Sequence, residues 1–173
     1  KTRIYVGTLN ATNAGNSALI NSDTSYVLIG NNTGNICPSA AANAEVPPTP
    51  LITSRIEREW KVTKTNFAQN MSIDITLDAC ATASNFNTNC MALLVDNDGN
   101  FTNATVLTTA NGLTFSVLGN VVTVSGITSA HIPNNNTRYI TLGSVFLTEN
   151  FGSDTIKCDG DTILLDAGNP GAT

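Results

Sequence analysis

The sequence predicts an all-β fold, an antiparallel β-sandwich of short strands held by disulfides. Three observations predict it. Met71, Ile73, Ile75 and Leu77 alternate with Ser72, Asp74, Thr76 and Asp78, the period of two that gives a strand one buried and one wet face. The pairs Asn111-Gly112 and Gly119-Asn120 separate short apolar runs, as hairpin turns do. No stretch longer than about eight residues carries a helical period.

The elements follow in order. Thr2–Leu9 reads as a first strand, with Ile4 and Val6 opposed to Arg3 and Tyr5, and Asn10–Ser22 as a polar connector. Thr24–Gly30 (TSYVLIG) is a near-continuous apolar run of strand length, which predicts burial on both faces. Asn31–Pro50 holds Cys37-Pro38 and Pro47, Pro48 and Pro50. Prolines exclude a central strand, so this segment reads as a crossover loop between sheets, anchored by Cys37. Arg55–Cys80 reads as two strands in succession. In the first, Ile56, Trp60 and Val62 share a face and Glu57, Glu59 and Lys61 the other, which puts Arg58 on the apolar side. Two readings of Arg58 follow: a stem packed on Trp60 with its head on a carboxylate, or a ligand-facing arginine at the sandwich rim. The expected core is Arg58, Trp60, Ile73, Ile75 and Leu77. Met91–Val95, Thr105–Thr109, Leu113–Leu118 and Val121–Ser125 form a meander, and Arg138–Thr148 a long last strand. From Asp154 the character changes. Residues 1–150 are therefore expected to form one sandwich domain. Residues 151–173 are expected to supply the opening strands of a following module, or a strand docked on this domain or donated to a neighbour.

Totals narrow the function. The 173 residues include only 12% charged ones, with eight Lys plus Arg and a net charge of −5. A nucleic-acid groove is not expected. Nor is a membrane span, since no run approaches the roughly 18 apolar residues required. Thr (25) and Asn (23) dominate the polar surface, a mixture of strand and turn formers typical of bacterial surface and adhesin domains. Lys1 leads straight into RIYVG, so a mature or excised piece is expected, with any export signal removed or upstream. The four cysteines include no C-x-x-C pair, which favours disulfides in an oxidising compartment over zinc. Cys80 and Cys90 flank a short polar loop, ATASNFNTN, and are expected to pair. Cys37 then pairs with Cys158 by elimination, unless Cys158 pairs with a residue beyond this chain.

Several pieces together resemble one family. TSYVLIGNNTG, RIEREWKV, LLVDNDGNF and RYITLGS occur in the order seen in a β-rich domain of large Bacteroidota surface proteins. Those proteins are similar to gliding-motility adhesins and other cargo of the type IX secretion system. The likeness covers nearly all of 3–148, and its most specific element is R-x-x-R-x-W-K-V at Arg55–Val62. The terminal CDGDTILLDAGNPGAT looks like the first strands of a PKD- or Ig-like repeat, although the Tyr-x-Trp strand that should follow is missing. The resemblance implies a non-catalytic, extracellular, cell-surface module.

Candidate sites are few. Asp96, Asp98 and Asn100 place oxygen side chains at i, i+2 and i+4, the first half of an EF-hand-like calcium loop. Phe101 replaces the usual glycine, and no Glu stands at the twelfth position. The competing reading is a plain Asp/Gly turn. Asp154-Thr155-Ile156 and Asp161-Thr162-Ile163 resemble the D-(S/T)-aliphatic O-glycosylation pattern of Bacteroidota, making Thr155 and Thr162 candidates. Asn-x-Thr sites at Asn100 and Asn135 carry little weight in a bacterial protein. His131 is the only histidine, no Ser or Cys has a nucleophile motif around it, and Asp74 and Asp78 are expected on a wet face.

The expected function is a non-catalytic structural or adhesive module of a large bacterial cell-surface adhesin or filament. Its partners would be neighbouring modules of the same chain or other copies. The alternatives are a filament subunit joined by strand addition through 154–166 and, third, a module that binds surface glycans.

Overall fold

A computed structural model describes residues 1–12, 15, 23–48, 52–82, 90–145, 150–151 and 154–155. Two antiparallel sheets form a sandwich. The first contains β1 (Thr2–Tyr5), β5 (Met71–Thr76), β9 (Val121–Ile127) and β8 (Thr114–Leu118), in that spatial order. The second contains β2 (Tyr26–Asn31), β4 (Trp60–Thr65), β10 (Asn136–Val145), β6 (Met91–Asp96) and β7 (Thr105–Leu107), with β3 (Ile52–Arg55) paired on β10. A separate small ladder joins β11 (Asn150–Phe151) to β12 (Asp154–Thr155). Two short helices, α1 (Ala40–Ala44) and α2 (Ala79–Thr82), lie in the connections.

Alternation in β5 and β4 builds the layer between the sheets. Met71, Ile73, Ile75 and Leu77 are buried in one cluster with Trp60 and Val62 of β4, Ile140 and Leu142 of β10, and Val122 and Val124 of β9. β10 holds the second sheet together, because it is the longest strand and pairs with β4, β6 and β3. Its other face helps to build a smaller second core of Ile52, Ala92, Leu94, Phe101, Ala104 and Val145.

The structure corrects several expectations. The stretch Arg55–Val62 is not one strand: β3 stops at Arg55, β4 starts at Trp60, and Ile56–Glu59 between them is irregular apart from a bridge from Ile56 to Pro38. Asp74 is buried, not wet. It accepts hydrogen bonds from Tyr5 Oη (3.0 Å) and Thr123 Oγ1 (2.8 Å), with Arg3 Nε 3.8 Å away. Neighbouring strands on both sides of β5 cover that face. TSYVLIG is not buried on both faces either. Among the described residues β2 is the edge of its sheet, and Tyr26, Leu28 and Ile29 are exposed. Of the expected short strands, Thr105–Thr109 ends at Leu107 and turns into a 3-10 segment, Thr109–Asn111, with Gly112 left-handed at its end (φ 81°). Gly119-Asn120 does make a two-residue hairpin, since Leu118 pairs with Val121.

Disulfide pairing also differs. Cys37 bonds to Cys80, with Cα atoms 5.5 Å apart, so neither Cys80–Cys90 nor Cys37–Cys158 forms. Cys90 is disulfide-bonded as well, to a partner outside the described residues, which is also where Cys158 falls. Sequence spacing misled because bridging needs Cα atoms within about 7 Å in the fold, whatever their separation along the chain. The bond joins the loop leaving β2 of one sheet to α2, which follows β5 of the other.

One glycine is required by backbone geometry. Between Met71↔Ile127 and Ile73↔Val124 the register slips, so Ser125 and Gly126 together oppose Ser72. Gly126 takes φ +82°, and a Cβ there would lie 2.7 Å from Gly112 O. A bulge residue in this region favours glycine. Gly126→Ala is expected to lower stability by at least about 2 kcal/mol, read as a fall in urea midpoint at constant slope.

Candidate functional site

The most elaborate polar arrangement centres on Arg55, which the sequence reading passed over in favour of Arg58. Arg55 ends β3 and is buried, its side chain only 2% exposed. Nε donates to Ala42 O (2.8 Å) and Glu45 O (3.1 Å), and Nη1 to Ile56 O (3.3 Å). Nη2 donates to Glu45 Oε2 (3.0 Å) and Glu59 Oε1 (3.1 Å). The guanidinium also lies 4.7 Å from the centroid of the Phe101 ring. A planar fork serving five acceptors is a task for arginine, not lysine. Two of those acceptors, Ala42 O and Glu45 O, sit at the C-terminal end of α1, where helical donors run short and Ala42 O accepts also from Glu45 N at 3.1 Å. Ser39 caps the other end by accepting from Ala42 N at 3.1 Å.

The same constellation pins the irregular crossover. Glu57 N donates to Cys37 O (2.9 Å), Arg58 N to Asn35 O (2.9 Å) and Glu59 N to Asn32 Oδ1 (3.1 Å). Thr141 Oγ1, buried in β10, donates to Arg58 O (2.8 Å) and Ile56 O (3.2 Å). Arg58 is half-buried and its Nε donates to Gly34 O at 2.7 Å. Among the described residues it has no carboxylate partner. Arg58 is therefore neither a core residue nor paired as expected. It clamps the loop that leads from β2 to Cys37. The R-x-x-R-x-W motif is thus a staple: Arg55 below the crossover, Arg58 on the adjoining loop, Trp60 in the core.

Beside this staple lies a shallow cavity of about 240 Å³ lined by Asn32, Ser39, Glu45, Arg55, Glu57 and Glu59. Hydrogen bonds from Ser39 and from the Asn35 amide hold the Glu57 carboxyl below its ordinary range. It is therefore ionised at neutral pH and cannot serve as a proton donor there.

The candidate calcium residues are brought together on one loop, but their oxygens face inward on the chain. Asp96 Oδ2 accepts from the amides of Asp98 (2.7 Å) and Gly99 (2.6 Å). Asp98 Oδ1 accepts from Asn100 N (2.8 Å), and Asn100 Oδ1 from Thr102 N (3.2 Å) and Thr102 Oγ1 (2.8 Å). This is a chain of Asx turns. These turns engage one oxygen of each carboxylate, and a melting midpoint that is the same in EDTA and in millimolar calcium would end the calcium reading. Burial pushes the Asp96 carboxyl upward, but the amides of Asp98, Gly99 and Asn97 and the Asp98 side chain together pull it below its ordinary value. A depressed folded pKa stabilises the fold above the unfolded value of about 3.9, and that contribution is lost as pH falls through the folded value. Acid titration of stability is expected to show this loss, and Asp96→Asn to flatten it.

Lys64 was also missed. It follows Trp60 and Val62 on the inward phase of β4 and is fully buried. Its Nζ donates to Ile132 O (3.0 Å) and Ser129 Oγ (3.2 Å) and lies 5.7 Å from the Phe67 ring. Burial pulls its ammonium below the ordinary lysine range. His131 closes a turn: Nδ1 accepts from Thr128 N (3.2 Å), while Nε2 lies 3.1 Å from Asn111 O. Thr155 lies in β12, and Thr162 lies outside the described residues. No helix of the described residues is long and apolar enough to cross a membrane.

Fold and staple together define a class: a disulfide-bonded β-sandwich domain whose buried cations are tied to main-chain carbonyls. Residues 1–144 match the family described as a domain of unknown function, DUF8202. The chain belongs to that family. Neither a curated protein nor a solved structure matches it.

Proposed function

We propose that the chain is a non-catalytic extracellular module of a bacterial cell-surface protein, serving as a structural or adhesive unit. The observation that carries this reading is the Cys37–Cys80 bond, which ties the loop after β2 to the helix after β5. A crosslink between connections of the two sheets, with Cys80 exposed, is a device of oxidising compartments. The commitment of Arg55, Arg58 and Asp96 to backbone groups supports a scaffold role, since each is occupied in holding a loop. Such a domain keeps its shape outside the cell and presents its neutral Thr- and Asn-rich surface to neighbouring modules, other copies or surface glycans.

The test is labelling of intact cells of the source organism. An antibody against the folded domain should stain unpermeabilised cells, and external protease should remove the signal. Protein found only in the cytosol with four free thiols would overturn the reading. Coating beads with the purified chain and measuring retention on glycan arrays and on cells then separates an adhesive unit from a spacer.

A further inference from the structure

β2 is an edge strand that lacks the usual protections. Its residues Tyr26–Asn31 (YVLIGN) include no charge and no proline, whereas natural edges are commonly blunted by lysine, proline or a bulge. Leu28 is 60% exposed, Tyr26 45% and Ile29 41%. Among the described residues β4 is its only strand neighbour.

The backbone phase of the open edge can be read from the register. β2 and β4 pair antiparallel from Tyr26↔Thr65 to Asn31↔Trp60, and one residue further on Asn32 N donates to Glu59 O at 3.2 Å. In an antiparallel ladder hydrogen-bonded pairs alternate. The main-chain groups of Asn32, Gly30, Leu28 and Tyr26 therefore face β4, and those of Val27, Ile29 and Asn31 face the open side.

From this we infer that β2 pairs antiparallel with β2 of a second copy, across a two-fold axis at Leu28. In that register Val27 and Ile29 of each copy exchange main-chain hydrogen bonds with Ile29 and Val27 of the other. Leu28 meets Leu28 as a non-hydrogen-bonded pair. Tyr26 stands opposite Gly30, over which a Cβ would meet nothing within 4 Å, so an aromatic ring can cover the bare glycine. Apolar residues thus meet apolar ones on both faces, and Ser25 meets Asn31 at each end. No charge is buried. The nearest exposed cation, Lys61, pairs with Gly30 on β4, so the two copies' Lys61 side chains stand at least roughly 14 Å apart across three strand spacings, beyond a Debye length at physiological salt. The two larger sheets then become one continuous sheet.

A six-residue strand covers less than the roughly 800 Å² per partner of a standard interface. The contact is therefore weak and driven by concentration, suited to copies held side by side on a surface.

Sedimentation of the full chain from about 10 µM to about 1 mM should show a monomer–dimer equilibrium that Ile29→Pro abolishes. Proline there removes an outward-facing amide, which an edge strand tolerates, so the monomer keeps its β4 ladder. Leu28→Cys should crosslink to itself under mild oxidation on the order of ten times more than Tyr26→Cys, because only position 28 lies opposite itself. Mixing Tyr26→Cys with Gly30→Cys should give the heterodimer. A chain that stays monomeric throughout, or self-association that survives Ile29→Pro, would overturn the inference. So would equal crosslinking at 28 and 26. Slow hydrogen exchange at Val27 and Ile29 at the lowest concentration would instead assign the edge to another segment of the same chain, and would also overturn it.

Discussion

Arg55→Ala is expected to destabilise the domain by about 2–4 kcal/mol, the range for truncating a buried side chain and weakening the hydrogen bonding of the carbonyls it serves. Glu45 and Glu59 are 50% and 21% exposed at their side chains, so each can turn to water and contributes little to that loss. The cost comes from the main chain and the packing. Glu45 O loses its Arg55 donor, Ala42 O and Ile56 O keep only Glu45 N and Thr141 Oγ1, Phe101 loses the cation over its ring, and a cavity opens in the second core. Arg55→Lys is expected to restore only a minor part, because three ammonium donors on a flexible stem cannot reach a five-acceptor fork. Trp60, the single tryptophan and a buried one, reports unfolding directly. Urea titration followed by its fluorescence should show a lower midpoint at constant slope. A loss below about 1 kcal/mol would reduce the cluster to an ordinary surface ion pair.

Removing the Cys37–Cys80 bond is expected to cost about 4 kcal/mol on the chain-entropy account, because the two residues are separated by 43 positions. The double substitution Cys37→Ser, Cys80→Ser should lower the melting midpoint by roughly 10 °C. It should also loosen the crossover loop first, since Glu57 N is held by Cys37 O. Chymotryptic mapping without reductant decides the pairing. Cleavage at Phe86 separates Cys80 from Cys90, so a peptide linking Cys37 to Cys80 is the expected product. A Cys80–Cys90 link would refute this pairing, and four free thiols would remove the main support for an extracellular module.

Much of the fold is legible in the chain. β5 and the inward residues of β4 follow from period two alone, and the Gly119-Asn120 hairpin from turn chemistry. Lys64 is legible as well, since it lies in phase with Trp60 and Val62, although lysine is a residue type seldom fully buried. Alternation puts Arg58 on the wrong face because it does not hold through Ile56–Glu59, where the chain leaves the strand and finds its hydrogen bonds at Asn32, Asn35, Cys37 and Thr141. None of those partners lies within ten residues of the crossover, so no local pattern marks the break.

By itself the sequence determined the all-β class, the alternating faces of the core strands and the presence of disulfides, because each depends on residue type and on near neighbours along the chain. Only the tertiary structure decided which arginine is buried, which cysteines meet and which apolar strand is left at an edge. Those outcomes depend on distances between segments tens of residues apart, which spacing along the chain does not encode.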